Sequence, residues 1–353
     1  MNRLRTLSSQ IRYTCGTVQL NSLISANTNE KRLRHQTCPT LKRLAMSTST
    51  NVDTPSPLPY DGSNDNQSSL PSSSSSSLNV DEIRELLRPF DGNCNGKLEL
   101  HLDDQTGIAK LCINSPMRKN AFSGLMMAQF SDILTKLEQW KEGRAVIIYG
   151  ADRFFCSGAD LKTVKNMSEK TGAFYISTVM QDNLLRLERL PLVSVALVEG
   201  KAIGGGAELV TACDLRVFTA NAQIGFVHAR LGVTPGFGGG VRLIRLVGRT
   251  KALQLLLSAR PIDVREASNH GLVQHTLPDG VGADEALNST IEWYQVNYGN
   301  ISSFASRNVK QIIHTSIMDM PFDEAIAFEA KIFQQVWGTP EHKKAISSNI
   351  KHN

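Results

Sequence analysis

Apolar residues recur at helical spacing at Met126, Phe130, Ile133, Leu134, Leu137 and Trp140, and Ser123 stands where an N-cap belongs. Gly143 closes that helix, and residues 145–149 form an unbroken apolar run, as a strand covered on both faces requires. The alternation continues along the chain. Residues 97–102 and 107–114 read as strands, 192–198 as a buried strand, 207–212 as a helix and 215–218 as a further strand. Thr250 is placed to cap a leucine-rich helix, and Asp263 to cap another that Gly271 ends before a strand at 272–277. From Asp284 onward only helical spacing remains. At the front, residues 81–88 predict a short helix stopped by Pro89. Strands alternating with helices, then a helical tail, predict an α/β core over 81–280 and a helical region over 281–353.

The stretch before residue 81 has neither period. It opens with Arg3, Arg5, Arg12, Lys31, Arg32, Arg34, Lys42 and Arg43 against the single acid Glu30. An Arg-rich, acid-poor start fits a mitochondrial transit peptide, and fits equally a basic tail that a start at Met46 would bypass. Pro- and Ser-rich low complexity follows, ending in serines 72–77, and it cannot bury enough apolar surface to order itself. Residues 1–80 are therefore expected to be a disordered leader.

Composition narrows the class. Over 353 residues, 41% hydrophobic and 20% charged positions suit an enzyme-sized globular core. A net charge of +5 suits an anionic small molecule, and because the densest basic cluster lies in the leader, nucleic acid is not expected as a partner. No apolar run is long enough to span a bilayer, so no membrane is expected either. The six cysteines are far apart with no zinc or redox spacing, which points to a reduced intracellular protein without a metal site. Asp91, Asn93, Asn95 and Gly96 imitate the first half of a calcium loop. Its twelfth position, which needs a bidentate carboxylate, is Leu102, so a turn between strands is expected there.

Candidate chemistry concentrates in two glycine-bearing junctions. Phe154-Phe155-Cys156-Ser157-Gly158-Ala159-Asp160-Leu161 follows the 145–149 strand. Gly204-Gly205-Gly206-Ala207-Glu208 follows the 192–198 strand. A helix that begins at such glycines leaves unpaired N–H groups at its start, and no side chain keeps a ligand from them. Either junction alone also fits a tight turn. Their order, with Asn114-Ser115-Pro116 and Asn120-Ala121-Phe122 upstream and Pro235-Gly236-Phe237-Gly238-Gly239 downstream, resembles the crotonase (enoyl-CoA hydratase/isomerase) superfamily over roughly residues 100–340. That resemblance implies an α/β fold built as a spiral of ββα units, with a C-terminal helical region used in trimer formation. It also implies an acyl-CoA substrate whose thioester enolate is held by two backbone N–H groups. By motif, these would be the amides of Ser157 and Gly205. Preorganised donors suit such an oxyanion where water is excluded, and losing one costs about 3–4 kcal/mol of transition-state stabilisation. Lys162 matches a family position near the CoA, and equally fits an ordinary exposed lysine. His342-Lys343-Lys344 is placed by the same analogy near a neighbouring subunit's nucleotide.

The proton chemistry departs from that of the hydratases, which use two glutamates around a water. The first matches Glu208; counting back from Pro235-Gly236, the second falls on His228. One carboxylate and one imidazole do not reproduce the paired site, so hydration is expected to be poor. Loss of CO2 from a 2-carboxyacyl-CoA fits better, because the departing carboxylate leaves its electron pair as the same enolate, and a second glutamate would repel such a substrate. Phe226, Val227 and Phe237 could strip water from the carboxylate. His228 could instead be packed, and Glu208 could serve only to pair a cation. The fuller pattern, with Thr211-Ala212-Cys213-Asp214 and Phe226-Val227-His228, is similar to the decarboxylating branch of the superfamily. This implies conversion of ethylmalonyl-CoA to butyryl-CoA, more weakly attack on methylmalonyl-CoA, as a cytosolic metabolite-repair activity with no cofactor, in a homotrimer or hexamer. The leader's composition points to mitochondria instead. A hydratase or isomerase using Glu208 alone, and a non-catalytic RNA-binding or scaffold protein of the same fold, are the competing readings.

Overall fold

The computed structural model describes residues 78–347 except 93–94, 168–169, 279, 281 and 318–319. The leader expected over 1–80 thus lies outside the described residues, save for 78–80, and so does Asn93 of the calcium-loop imitation. Nine strands are found among the described residues: β1 (Lys97–His101), β2 (Ile108–Asn114), β3 (Ala145–Gly150), β4 (Val193–Val198), β5 (Lys201–Ile203), β6 (Leu215–Thr219), β7 (Gln223–Gly225), β8 (Ile262–Asp263) and β9 (His275–Leu277). Six form one sheet in the order β1-β2-β3-β4-β6-β9, parallel except for the β1–β2 pair. The other three form a small sheet, β5-β7-β8, with β5 and β7 parallel.

The helices are α1 (Val80–Leu87), α2 (Gly124–Gln139), α3 (Leu161–Asn166), α4 (Lys170–Arg189), α5 (Gly205–Ala212), α6 (Gly239–Val247), α7 (Arg249–Ser258), α8 (Val264–Asn269), α9 (Ala283–Tyr298), α10 (Ser303–Ile317), α11 (Phe322–Val336) and α12 (Pro340–Ser347). Ser123 caps α2 by accepting from Met126 N–H at 3.3 Å, and Asp263 caps α8 by accepting from Glu266 N–H at 2.8 Å, both as expected. Thr250 caps nothing. Gly248, at φ +80°, precedes α7, which places Thr250 inside the first turn.

Side chains alternate across the pleat of the central strands. Val146 and Ile148 of β3 and Ala196 and Val198 of β4 join one core, with Phe130 and Leu134 of α2 and Leu184 of α4. Ala145, Ile147, Val195 and Leu197 enter a second core on the other face, closed by Ala286 and Tyr294 of α9. The sheet's centre is therefore sealed on both sides, which explains the unbroken apolar runs. The C-terminal helices are also tied to the sheet by charge. Lys310 Nζ, on α10, donates to Asp214 Oδ2 and to Leu192 O, each at 2.6 Å, while Asp214 accepts from the Ser194 amide at 2.7 Å.

Candidate active site

The loop after β3 and the strand after β4 are zipped together by main-chain bonds. Phe155 N–H donates to Glu199 O (3.0 Å), Cys156 N–H to Lys201 O (3.2 Å), and Ile203 N–H to Cys156 O (2.9 Å). This ladder brings the two junctions side by side. A Cβ on Gly158 would lie 2.9 Å from the Gly205 nitrogen and 3.2 Å from Ile203 O, so the loops touch there. Gly158 has φ +96° and Gly204 φ +57°, conformations that side chains disfavour.

Gly205 opens α5, and the first bond within the helix runs from Glu208 N–H to Gly204 O at 3.1 Å. The Gly205 N–H is left as a free helix-start donor among the described residues. Its companion is not Ser157. The Ser157 amide donates to Lys119 O at 3.0 Å and the hydroxyl to Arg118 O at 3.1 Å, which corrects the motif-based assignment. On the same loop Phe122 N–H donates to Gly158 O and Asp160 N–H to Phe122 O, both at 2.8 Å. Successive peptide groups of an extended segment point to opposite sides, so the Ala159 N–H faces away from Phe122. No acceptor meets it among the described residues. The sequence holds one hint of this: Gly158, which alone in the motif adopts a backbone needing glycine, turns the next amide outward. Beneath the loop, burial pushes the Cys156 thiol up to about 12, so it offers no thiolate near neutral pH.

One turn into α5, Glu208 is 1% exposed. Its Oε2 accepts from Phe237 N–H and Gly239 N–H, both at 2.8 Å, and its Oε1 from Gly236 N–H at 3.3 Å. His228 Nε2 lies 3.0 Å from the same Oε1. Gly239 serves this contact, since a Cβ there would collide with the Glu208 side chain. Gln181 of α4 donates to Gly236 O at 2.8 Å and Arg242 Nη1 to Phe237 O at 2.9 Å, fixing the loop from outside. The Phe237 ring packs on the backbone of Gly205, where any Cβ would strike it. Glu208 and His228 thus meet beside the free donors, and neither Gln181 nor Arg242 carried any signal in the sequence. Lys162, half-buried, lies in the first turn of α3 just past the donor loop.

A cavity of about 380 Å³ lined by Val193, Asp214, Leu215, Tyr294 and Lys310 lies at the opposite, leading ends of β4 and β6 and shares no residue with this site. Among the described residues no cluster of His, Cys, Asp and Glu is placed to hold a metal ion, and no helix is long and apolar enough to cross a membrane.

Residues 103–351 match the family model described as Enoyl-CoA hydratase/isomerase. The chain belongs to the enoyl-CoA hydratase/isomerase family. A solved member of this family, the enoyl-CoA hydratase of Bacillus anthracis, is 27% identical to the chain, covers 70% of it and 94% of its own length, and superposes with a TM-score of 0.65. The fold expected from the spaced glycine motifs is therefore the one observed. Family members named ethylmalonyl-CoA decarboxylase are 41% identical in Xenopus tropicalis and 38% identical in Mus musculus. Each covers 79% of this chain, with 91% and 85% of the relative's own length.

Proposed function

We propose that this chain decarboxylates ethylmalonyl-CoA to butyryl-CoA and CO2, and acts more weakly on methylmalonyl-CoA. One observation carries the reading: His228, the residue on which motif spacing puts the hydratases' second glutamate, has its Nε2 3.0 Å from Glu208 Oε1. Two facing carboxylates would repel a substrate that is itself a carboxylate, whereas an imidazole does not. As CO2 leaves, charge gathers on the thioester oxygen, and the Ala159 and Gly205 N–H groups stand where they can hold it. Each such donor is worth about 3–4 kcal/mol. The pair formed by Glu208 and His228 then supplies one proton to C2. The names of the relatives agree with this chemistry.

The remaining features extend the same reading. Lys162 would meet the phosphates of CoA, and His342-Lys343-Lys344 of α12 those of a CoA bound to a neighbouring subunit. Exposed apolar side chains on α7 (Leu253, Leu257), on α11 (Ile326, Phe333) and at its C-cap (Trp337) suit a face covered in a homotrimer or hexamer. A cytosolic role in metabolite repair within fatty acid metabolism goes with the decarboxylase reading, and the basic leader supports a mitochondrial alternative. Likeness to a solved hydratase favours one second reading, water addition to enoyl-CoA with Glu208 alone. Purified protein offered both substrates separates them. We expect CO2 from ethylmalonyl-CoA, and hydration of crotonyl-CoA at no more than about a hundredth of that rate, the scale of a missing acid–base group. Hydration without CO2 release would overturn the proposal.

A further inference from the structure

We infer that His228 is the acid that protonates the enolate carbon, and that Glu208 is a positioning residue outside the proton's path; this rests on the decarboxylase reading above. An ionised carboxylate accepts at about four lone-pair sites and donates at none. Glu208 has four neighbours that fill them, the amides of Gly236, Phe237 and Gly239 and the Nε2 of His228. A proton on either oxygen would oppose a donor to a donor and break the bracket that holds the 236–239 loop. No site remains on Glu208 for a water or for the substrate.

The same geometry settles which nitrogen of His228 bears hydrogen. Its neighbour only accepts, so Nε2 carries a proton. Nε2 also lies on the ring edge nearest the glycine turn, 3.9 Å from where a Cβ on Gly204 would stand, one residue from the Gly205 donor. The other nitrogen, Nδ1, is buried and has no protein partner among the described residues. At 12% side-chain exposure the imidazole can be recharged from solvent, whereas Glu208 at 1% cannot.

The step balances as follows. Transfer from Nε2 requires the ring to enter as the imidazolium, with a proton on each nitrogen. The bond from C2 to the carboxylate carbon breaks, CO2 departs, and the electron pair stays as the enolate. That pair then takes the Nε2 proton, which leaves its hydrogen bond to Glu208 Oε1, giving butyryl-CoA and a neutral imidazole that keeps its Nδ1 proton. The bare Nε2 now opposes a carboxylate oxygen, lone pair against lone pair, and takes a proton from water.

Exchange of the C2 protons of butyryl-CoA in D2O reads this acid without any CO2 loss, and labelling of C2 during turnover of ethylmalonyl-CoA reads it in the full reaction. His228→Gln keeps an Nε2 amide to donate to Glu208 but has no proton to transfer. We expect its melting temperature to be unchanged, its exchange to fall about 100-fold or more, and deuterium to enter both faces of C2 instead of one. Glu208→Gln retains His228 and should still label a single face, at a reduced rate from the loosened loop. If the His228 variant exchanges at the wild-type rate and labels one face, the inference is wrong. It is equally wrong if the Glu208 variant alone abolishes exchange. Should the Glu208 variant fail to fold, the His228 arm decides. A wild type that exchanges butyryl-CoA but releases no CO2 would sink the decarboxylase reading while leaving the identity of the acid to the exchange arm.

Discussion

A single methyl group tests the proposed oxyanion site. Gly158 sits at φ +96°, and a Cβ there would stand 2.9 Å from the Gly205 nitrogen. Gly158→Ala should therefore cost about 1–3 kcal/mol through backbone strain, read by thermal melting. It should also lower CO2 release by about 100-fold or more, because the donor at Gly205 is crowded and its companion displaced. Near-normal turnover would remove the Gly205 amide from the site. The residue types at this site were legible in the sequence, but the direction of each peptide was not. Ser157 and Ala159 belong to one motif, and only the bond from the Ser157 amide to Lys119 O separates the engaged donor from the free one. Glu208 was legible as a carboxylate near the glycines. Its saturation was not, since the amides that fill it belong to Gly236, Phe237 and Gly239, 28, 29 and 31 residues away and brought back by the fold.

Elements long enough to display a period were readable, and so were their caps. Ser123 and Asp263 bond the helix starts that their positions predicted. Because Asp263 is exposed and remote from Glu208 in the chain, Asp263→Ala should cost about 1 kcal/mol in a denaturant melt and leave the turnover of folded enzyme unchanged. A loss of activity per folded molecule would show that α8 does more than support the small sheet. β5 and β7 were missed because three residues cannot show an alternation. The strand expected at 272–277 begins only at His275, since Leu272 turns into the core beside Ala267 of α8 instead of joining the ladder. Thr250 looked like a cap because the sequence places it before a leucine-rich run. The chain turns two residues earlier, at Gly248.

Across the whole molecule, one donor loop leaves the end of β3 and the other follows β5, the short strand after β4, and both β3 and β4 are sealed on both faces by separate cores. The helical tail is bound to that sheet through a buried cation. Lys310 is 8% exposed and spends its donors on Asp214 and the Leu192 carbonyl. Lys310→Met would leave Asp214 without its counter-charge while keeping most of the packing volume. We expect a loss of about 2–3 kcal/mol by urea melting, less than a fully buried pair would cost because the Asp214 side chain keeps 30% of its surface in water. A loss below about 1 kcal/mol would mean that apolar packing alone retains the tail. Asp214 was noticed in the sequence as part of a family motif. Its work here is to join the sheet to α10, a role that depends on a lysine 96 residues later and so left no local trace.

The filled carboxylate of Glu208 also bears on inhibitor design. A basic compound drawn to that acid finds each acceptor position occupied and must break a bond to the 236–239 loop to bind. A thioester mimic with a fixed negative oxygen meets the free amides of Ala159 and Gly205 and disturbs nothing, so anionic ligands rather than amines should be the selective ones.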